Sequence, residues 1–416
     1  MLGMSGSFPL PTELPEPAAP AVAIVRRLVE AGHTALLAGG CVRDLLLGQL
    51  PQDYDVATDA PPERVQALFR STRLVGARFG VVLVRQNRRW IEVATFRADG
   101  PYPDGRHPAQ VRFTDAREDA LRRDFTVNGM FLDPLTRTVV DYVGGRADLE
   151  ARLIRAIGDP QARFDEDHLR LLRAVRFAAR LGFAIEPQTL LAIRSQASRL
   201  ADVAAERVRE ELEKMLAHPQ RRQALVLLVE TGLLGYLWPG ASWQDRQVRA
   251  AESLLARLPP DAQFELVFAV LVADRAADEI ESIARRLVFS NEQRESVLWL
   301  VQHQADLDDP EAVALSALKR LMAHPAFALL SQWAGARYAD MSDGARRADA
   351  LARRLAGISP EAVRPAPLVT GDDLLARGLP PGPAFKEILE ALYTRQLEET
   401  LRSREEALAA LDEMLG

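Results

Sequence analysis

The stretch Gly39–Asp55, GGCVRDLLLGQLPQDYD, decides how the rest of this 416-residue chain is read. The apolar run from Thr34 to Ala38 predicts a strand that leads into the glycine pair. A short helix carrying Arg43 follows, then a turn, and then Asp53-Tyr54-Asp55 entering a second strand. Side chains alternate along a strand, so Asp53 and Asp55 share a face and Tyr54 points away. Neighbouring carboxylates repel unless a cation or a shared proton sits between them. A pair of hard oxygen ligands suits Mg²⁺, which keeps several waters and takes its remaining ligands from substrate phosphates. Gly39 and Gly40 lack Cβ, so a triphosphate can approach their backbone NH groups, and the helix that follows offers its N-terminus to the anion. Arg43 adds a fork-shaped donor for phosphate.

Each piece has another reading. A strand Asp-x-Asp also occurs as a solvated acidic edge or in sugar-nucleotide transferases, a glycine pair is often only a turn, and Arg43 with Asp44 can be a surface pair. The combination is more specific: G-G-x-V-R-D, then L-x-G, then D-x-D beginning nine residues after Asp44. Together these motifs resemble the nucleotidyltransferase core of the CCA-adding enzyme and bacterial poly(A) polymerase family, the class II group of polymerase β-like enzymes. That resemblance implies an α/β nucleotidyltransferase head, a polymerase β-like mixed sheet with helices, followed by an all-α neck, body and tail. The expected partition is a disordered tail over 1–20, the head over 21–147, a helical neck for nucleobase and RNA binding over 148–240, and a tRNA-binding body and tail over 241–416.

Composition allows two to four domains with sizeable cores. Hydrophobic residues make up 48% and charged residues 26%, ordinary values for a globular protein. There is no apolar run of about 18 residues, which excludes a membrane-spanning helix, and the first twenty residues lack the basic start and apolar core of a signal peptide. A cytoplasmic location is expected. The single Cys41 excludes an intramolecular disulfide and a multi-cysteine zinc site and reads as a small filler in the glycine turn. The six histidines form no H-x-x-x-H or H-D pattern, which argues against a metallohydrolase module. A net charge of −6 runs against an RNA partner unless the arginines are gathered locally. Arg152, Arg155, Arg163, Arg170, Arg173, Arg176 and Arg180 do crowd one stretch, so a local positive path is possible.

Beyond Asp55, Thr58 or Asp59 is expected to cap a helix opened by Pro61 and Pro62. Phe79 to Arg85 and Trp90 to Phe96 read as strands around a polar turn at Gln86 to Arg89. Glu92 in the second strand is a candidate third carboxylate beside the Asp pair, or a partner for Arg85 or Arg97. The segment Arg97 to Thr114 reads as one long loop with no apolar period, carrying Asp104 and Arg106. In the resembled family a loop in this place bears an acidic and basic pair and helps the site switch from C to A, and members that add only CC lack it. Leu121 to Asn128 holds R-R-D-F-T-x-N, which is similar to the family's second motif. The resemblance makes Arg123 a nucleotide-binding arginine, with Asp124 and Asn128 contacting sugar or triphosphate; a buried Arg-Asp pair and an N-cap are the alternatives.

From Asp148 onward the pattern reads as helical, with Leu149, Leu153 and Ile157 at helix spacing and one amphipathic run from Arg163 to Phe177. On a single helix Asp167 and Arg170 lie within one turn, Arg173 is displaced by about 60° more, and Arg176 is roughly opposite Asp167. Asp167 and Arg170 are assigned to a nucleobase, Arg173 to its neighbourhood, and Arg176 to structure or a phosphate, with an ordinary helix-surface salt bridge as the alternative. Glu166, Asp167 and Arg170 are similar to the family's E-D-x-x-R motif, a resemblance that supports the first pair most strongly. A carboxylate accepts from the amino group of C or A while a guanidinium donates to the adjacent ring nitrogen, and U and G present the reverse pattern. Later segments from Glu206 onward read as successive helices, ending with one polar helix from Ile388 to Leu415.

The resemblance implies template-independent addition of CCA to the tRNA 3′ end from CTP and ATP. Asp53 and Asp55 are expected to hold Mg²⁺ in a two-metal displacement. A-only addition to tRNA, poly(A) synthesis and a non-catalytic RNA-binding role are the alternatives.

Overall fold

The computed structural model describes residues 13–75, 80–100, 110–238 and 245–415. The chain divides into two compact units, Met1–Met215 with Gln220–Trp243, and Leu216–Pro219 with Gln244–Gly416.

The first unit opens with α1 (Ala19–Glu30), whose Ala21, Ile24, Val25 and Leu28 are buried. Residues 13–20, expected within a disordered tail, include a 3₁₀ turn at Glu16–Ala18 and the start of α1. Proline at the first helical positions lacks only an NH that would be unpaired there, so the Pro-rich stretch starts helices. Next come β1 (Ala35–Ala38), α2 (Gly40–Leu46), β2 (Asp55–Thr58), α3 (Pro62–Leu68), β3 (Thr72–Leu74), β4 (Val81–Gln86) and β5 (Arg89–Thr95). Short strands β6 (Arg97–Asp99) and β7 (Val111–Phe113) precede α4 (Ala116–Leu121), β8 (Phe131–Asp133), β9 (Thr138–Val140) and α5 (Gly145–Glu150).

Seven of these strands form one mixed sheet in the order β3-β4-β5-β2-β1-β8-β9. Only β2 and β5 pair in parallel, with Val56 opposite Val93; the other neighbours are antiparallel. One face of β2, β5 and β4 buries Val56, Val93, Ile91, Val82 and Val84. On the other face Leu36, Ala38, Ala57, Phe96 and Phe131 pack with Ala116 and Ala120 of α4. That second face carries Asp55 at its open end.

Several local expectations are corrected. Thr58 and Asp59 do not cap α3, whose N-cap is Pro61. Thr58 instead belongs to β2 and bonds Thr34 O, while Asp59 accepts from Thr34 N and pairs with His33. The segment Arg97–Thr114 is not loop throughout: its two ends zip into the antiparallel β6–β7 ladder, because Arg97 and Phe113 sit in register on edge strands. Asp104 and Arg106 lie outside the described residues.

After α5, β10 (Leu153–Ile154) pairs in parallel with β11 (Ala184–Ile185), so Leu153 belongs to a strand and not to the expected helix. Between them stand α6 (Pro160–Glu166) and α7 (Arg170–Leu181), two helices where one was expected. Asp167 breaks the run: its backbone is extended at φ −149°, and its side chain accepts from Leu169 N. The unit continues with α8 (Pro187–Gln196), α9 (Ala205–Leu216), α10 (Arg221–Glu230) and α11 (Leu234–Leu237).

The second unit is helical among its described residues, from α12 (Asp245–Leu255) through α13 (Phe264–Leu271), α14 (Ala277–Arg286), α15 (Asn291–His303), α16 (Leu315–Met322), α17 (Phe327–Tyr338), α18 (Gly344–Ala356), α19 (Pro360–Val363), α20 (Gly371–Ala376), α21 (Pro383–Leu397) and α22 (Arg404–Leu415). Phe264, Phe268 and Phe289 pack ring to ring at 4.8–5.6 Å. The expected polar helix over Ile388–Leu415 is split in two, with Glu399 at φ 61° closing the first part. No helix among the described residues is long and apolar enough to cross a membrane.

Candidate active site

A cavity of about 870 Å³ opens within the first unit, between the Asp55 end of the sheet, α2, α7 and α9. Its lining holds Asp53, Asp55 and Glu92 on the sheet side, Gly39, Gly40 and Arg43 on α2 and its approach, Arg123, Asp124 and Asn128 from the second motif, and Asp167, Arg170, Arg173 and Arg176 around α7. The candidate residues read from sequence that fall among the described residues are thus gathered around one space.

Asp55 opens β2, while Asp53 and Tyr54, expected within the strand, lie just ahead of it. Tyr54 is buried, while Asp53 and Asp55 face the cavity. Because Val56 is opposite Val93, Asp55 and Glu92 are neighbours across β2 and β5 on the same face. Solvent reaches Asp55 from the cavity, but protein on its other sides strips away hydration. That desolvation, then the charges of Glu92 and Asp53, push its pKa up to about 6. Among the described residues no three carboxylate, His or Cys side chains converge as a complete metal cage. This donor set fits a hard divalent cation that completes its shell with water and phosphate oxygens, and the charge crowding at Asp55 is what such a cation relieves.

Gly39 precedes α2 with φ 74°, and a Cβ there would stand 3.1 Å from Arg123 Nη1. The glycine is therefore required both by its backbone angle and by the close approach of that guanidinium. Cys41 is a buried filler: its Sγ donates to Ala38 O, and desolvation pushes its pKa up to about 12.

Arg43 is not part of a surface pair. It is 2% exposed, with Nε and Nη2 donating to Asp44 Oδ1 at 2.8 and 2.6 Å and Nη1 to Asn128 Oδ1 at 2.6 Å. Asn128 Nδ2 donates to Asp124 Oδ1 at 3.2 Å, and Asp124 Oδ2 accepts from Arg173 Nη2 at 2.7 Å. The network continues through Arg173 Nη1 to Glu211 Oε1 at 3.4 Å, and Arg176 Nε donates to Glu211 Oε2 at 2.5 Å. Phe177 anchors this chain of groups: the guanidinium carbons of Arg43, Arg173 and Arg176 lie 5.4, 5.2 and 4.2 Å from its ring centroid. Burial alone would raise the Asp124 pKa, but the charge and hydrogen bonds of Arg173 outweigh it and hold the group down at about 2. Asp124 is thus the acid of a half-buried Arg-Asp pair, with Arg173 and not Arg123 as its basic partner.

Arg123 pairs with Asp119 through Nε and Nη2 at 3.1 and 2.9 Å and lies over Phe131 at 5.0 Å. Burial raises the Asp119 pKa, yet the adjoining Arg123 and Arg122 win and keep it below the usual range.

Asp167 and Arg170 are steadied by separate partners. Arg207 grips Asp167 with both terminal nitrogens, at 3.2 and 2.9 Å, and Glu166 Oε2 accepts from Arg170 Nη1 at 2.5 Å. Because Asp167 precedes α7, the expected opposition of Asp167 and Arg176 does not hold, and both line the same cavity. Glu92 is not the expected partner of Arg97, which pairs with Asp99 at 2.9 Å.

Sequence reading passed over Asp119, Phe177, Arg207, Glu211 and Lys214 as site residues, and weighed Asp44 only as a surface partner of Arg43. A signal was present for three of them. Arg207, Glu211 and Lys214 recur at i, i+4 and i+7 on the amphipathic helix α9, a polar stripe on one face. Glu211 is 3% exposed, and Arg207 and Lys214 line the cavity.

Residues 35–155 match the family model "Poly A polymerase head domain", and residues 182–244 match "Probable RNA and SrmB- binding site of polymerase A". The CCA-adding enzyme of Geobacillus stearothermophilus is 36% identical over 392 residues, spanning 94% of this chain and 95% of that protein. The CCA-adding enzyme of Levilactobacillus brevis is 34% identical over 406 residues, spanning 95% and 98%. The crystal structure of the Bacillus stearothermophilus CCA-adding enzyme in complex with CTP superposes with a TM-score of 0.81 at 32% identity, covering 96% of this chain and 98% of that one. With the relatives matched from end to end and the motif residues gathered at one cavity, the chain belongs to the CCA-adding enzyme family.

Proposed function

We propose that this protein adds C, C and A to the 3′ end of tRNA, using CTP and ATP without a nucleic acid template. The observation that carries the reading is the single cavity whose lining combines the carboxylates Asp53, Asp55 and Glu92 with the arginines of three separate motifs. End-to-end similarity to CCA-adding enzymes supports it.

In this reading Asp53 and Asp55 hold Mg²⁺, with Glu92 beside them as a third carboxylate. Bound there, the metal neutralises triphosphate charge and makes the RNA 3′-hydroxyl a better nucleophile. The protein's own groups bind and orient. Gly39 and Gly40 let the triphosphate approach the start of α2, while Arg43 and Arg123, each turned by a fixed acidic partner, present their remaining NH groups to phosphate. Asp124 and Asn128 brace Arg43 and Arg173 behind the sugar and phosphate. Asp167 accepts from the amino group of C or A and Arg170 donates to the neighbouring ring nitrogen. Arg207 and Glu166 fix the two at the angles that exclude U and G. Arg173 stands in the neighbourhood of the base and Arg176 serves structure or a phosphate, both held by Glu211, and Asp104 with Arg106 assists the change from C to A.

Residues 21–147 act as the catalytic head, 148–240 as the neck that reads the base, and 241–416 as body and tail for tRNA. Substrates of this kind put the enzyme in the cytoplasm. Three assays with labelled nucleotides and Mg²⁺ test the reading, on tRNA lacking CCA, tRNA ending in CC, and oligo(A). Three nucleotides and no more on the first substrate is the expected result. Extension only of the second by one A, or long tails on the third, overturns it.

A further inference from the structure

The sheet face that carries the catalytic carboxylates continues outward to an edge of a different character. Glu92 is opposite Leu83, Trp90 is opposite Arg85, and Arg73 is opposite Leu83 from the other side. Cross-strand partners share a face, so Asp55, Glu92, Trp90, Arg85 and Arg73 all project from one side of β2, β5, β4 and β3. Three strand spacings of about 4.8 Å separate β2 from β3, so the row ends about 15 Å from Asp55. A few nucleotides of extended RNA cover that distance.

Between Glu63 and Glu92 the sequence has seven arginines and no acidic residue, in a protein whose net charge is −6. Arg70, Arg73, Arg85, Arg88 and Arg89 are exposed, and none is paired with a carboxylate among the described residues. The cavity arginines differ in this respect: Arg43, Arg123, Arg170, Arg173, Arg176 and Arg207 each carry one. Trp90, 36% exposed, gathers the row instead, with the guanidinium carbon of Arg73 at 4.5 Å and that of Arg85 at 5.9 Å from its ring. An indole restricts guanidinium rotation while leaving every NH available to an anion. At the β4–β5 turn Arg88 adopts φ 66°, a backbone conformation suited to glycine, following Asn87 at φ 48°. A cation stands at a position where it costs stability.

We propose that Arg73 and Arg85, ordered around Trp90, form with Arg88 of the adjoining turn a phosphate-binding ledge for the RNA strand whose 3′ end is extended at Asp53 and Asp55. The inference rests on the proposed function for its ligand and adds a contact surface on the head. The ledge grips the strand's phosphates upstream of the terminal nucleotide. Trp90 is a positioning residue that holds Arg73 and Arg85.

The test is fluorescence anisotropy of labelled tRNA lacking CCA, titrated with full-length protein at several salt concentrations. The double variant Arg73→Gln/Arg85→Gln is expected to raise the tRNA Kd about tenfold. It should also lower the slope of log Kd against log salt by about 1.5, roughly 0.7–0.9 per lost phosphate contact. Its CTP affinity by calorimetry stays unchanged, and in turnover KM for tRNA rises while kcat holds. Arg88→Gly weakens tRNA binding while raising the melting temperature by about 2 °C, which separates loss of contact from loss of fold. Trp90→Ala lowers the salt slope and Trp90→Phe restores it. Unchanged Kd and slope in folded variants of an active enzyme overturn the ledge alone. A wild-type protein that neither binds nor extends tRNA overturns the proposed function and the ledge together.

Discussion

Replacing Glu211 by Gln should weaken the fold and strengthen nucleotide binding, two effects of opposite sign from one removed charge. Glu211 is 3% exposed and accepts from Arg176 at 2.5 Å and from Arg173 at 3.4 Å. Gln keeps an acceptor for one of them, so the full penalty of about 3–5 kcal/mol for orphaning a buried ion-pair partner does not apply. A charge-assisted bond becomes a neutral one, which costs about 1 kcal/mol. The repulsion between Arg173 and Arg176, no longer divided by a carboxylate, adds a similar amount, moderated because Arg173 retains Asp124 at 2.7 Å. A loss of about 2 kcal/mol lowers the melting temperature by about 4–8 °C. The positive charge no longer cancelled acts on the triphosphate. Two unit charges separated by about 8 Å at an effective dielectric constant of about 20 interact by about 2 kcal/mol, and with the screening of cavity water and salt an effect of about 1 kcal/mol is expected, or about fivefold in Kd. Scanning calorimetry reads the first effect and titration calorimetry with CTP the second. A variant as stable as wild type, or one that binds CTP more weakly, refutes the account of Glu211 as a buried counter-ion.

Asp55→Asn should abolish transfer and change how the metal-free protein responds to pH. A carboxyl whose folded pKa is raised to about 6 contributes stability present below the unfolded pKa of about 4 and lost as pH rises through 6. The variant therefore melts higher than wild type at pH 7.5 without metal, and Mg²⁺ raises the melting temperature of wild type but not of the variant. Asp124→Asn acts on the opposite limb. With a folded pKa of about 2, Asp124 stabilises above about pH 4, and that contribution, about 2 kcal/mol, is lost as pH falls from 4 through 2; acid titration of the variant, followed by circular dichroism, should show a shallower loss. Gly39→Ala meets Arg123 Nη1 at 3.1 Å and an unfavourable φ of 74°, at a cost of about 1–3 kcal/mol. Its KM for CTP should rise several-fold in steady-state assays, and an unchanged KM would remove Gly39 and Arg123 from the triphosphate site.

What could be read in the sequence was what depends on short spacings. Asp53 and Asp55, two residues apart at the entry to β2, reach the same cavity although only Asp55 lies within the strand, and Gly39 precedes α2 because a turn of that angle favours glycine there. Arg123, Asp124 and Asn128 fall within one short motif, so their common destination needed no long-range information. Partnership was harder. Asp124 meets Arg173 across 49 residues and Asp167 meets Arg207 across 40, distances over which periodicity carries no signal. The helix break at Asp167 was hidden for a related reason. The apolar spacing runs on through it, and only the capture of its carboxylate by Arg207 and Leu169 N favours the extended backbone. Leu153 was misread because its interval to Leu149 suits a helix, while its actual pairing with Ala184 lies 31 residues away.

A net charge of −6 and an RNA substrate are compatible because the acids are not distributed at random among the arginines. In the cavity Arg43, Arg123, Arg173, Arg176 and Arg207 are each tied to a carboxylate. The local sum of charge there is small, and what the pairs provide is direction, each guanidinium fixed by its partner so that its remaining NH groups point one way. A triphosphate that arrives with a divalent cation brings much of its own neutralisation, and an oriented, nearly neutral cavity suits it. The phosphates of an RNA strand carry only loosely held monovalent ions, whose release drives binding when protein cations replace them. A carboxylate beside such a cation would oppose that exchange. The arginines of the β3–β5 edge, held by an aromatic ring instead of an acid, keep their orientation without giving up their charge.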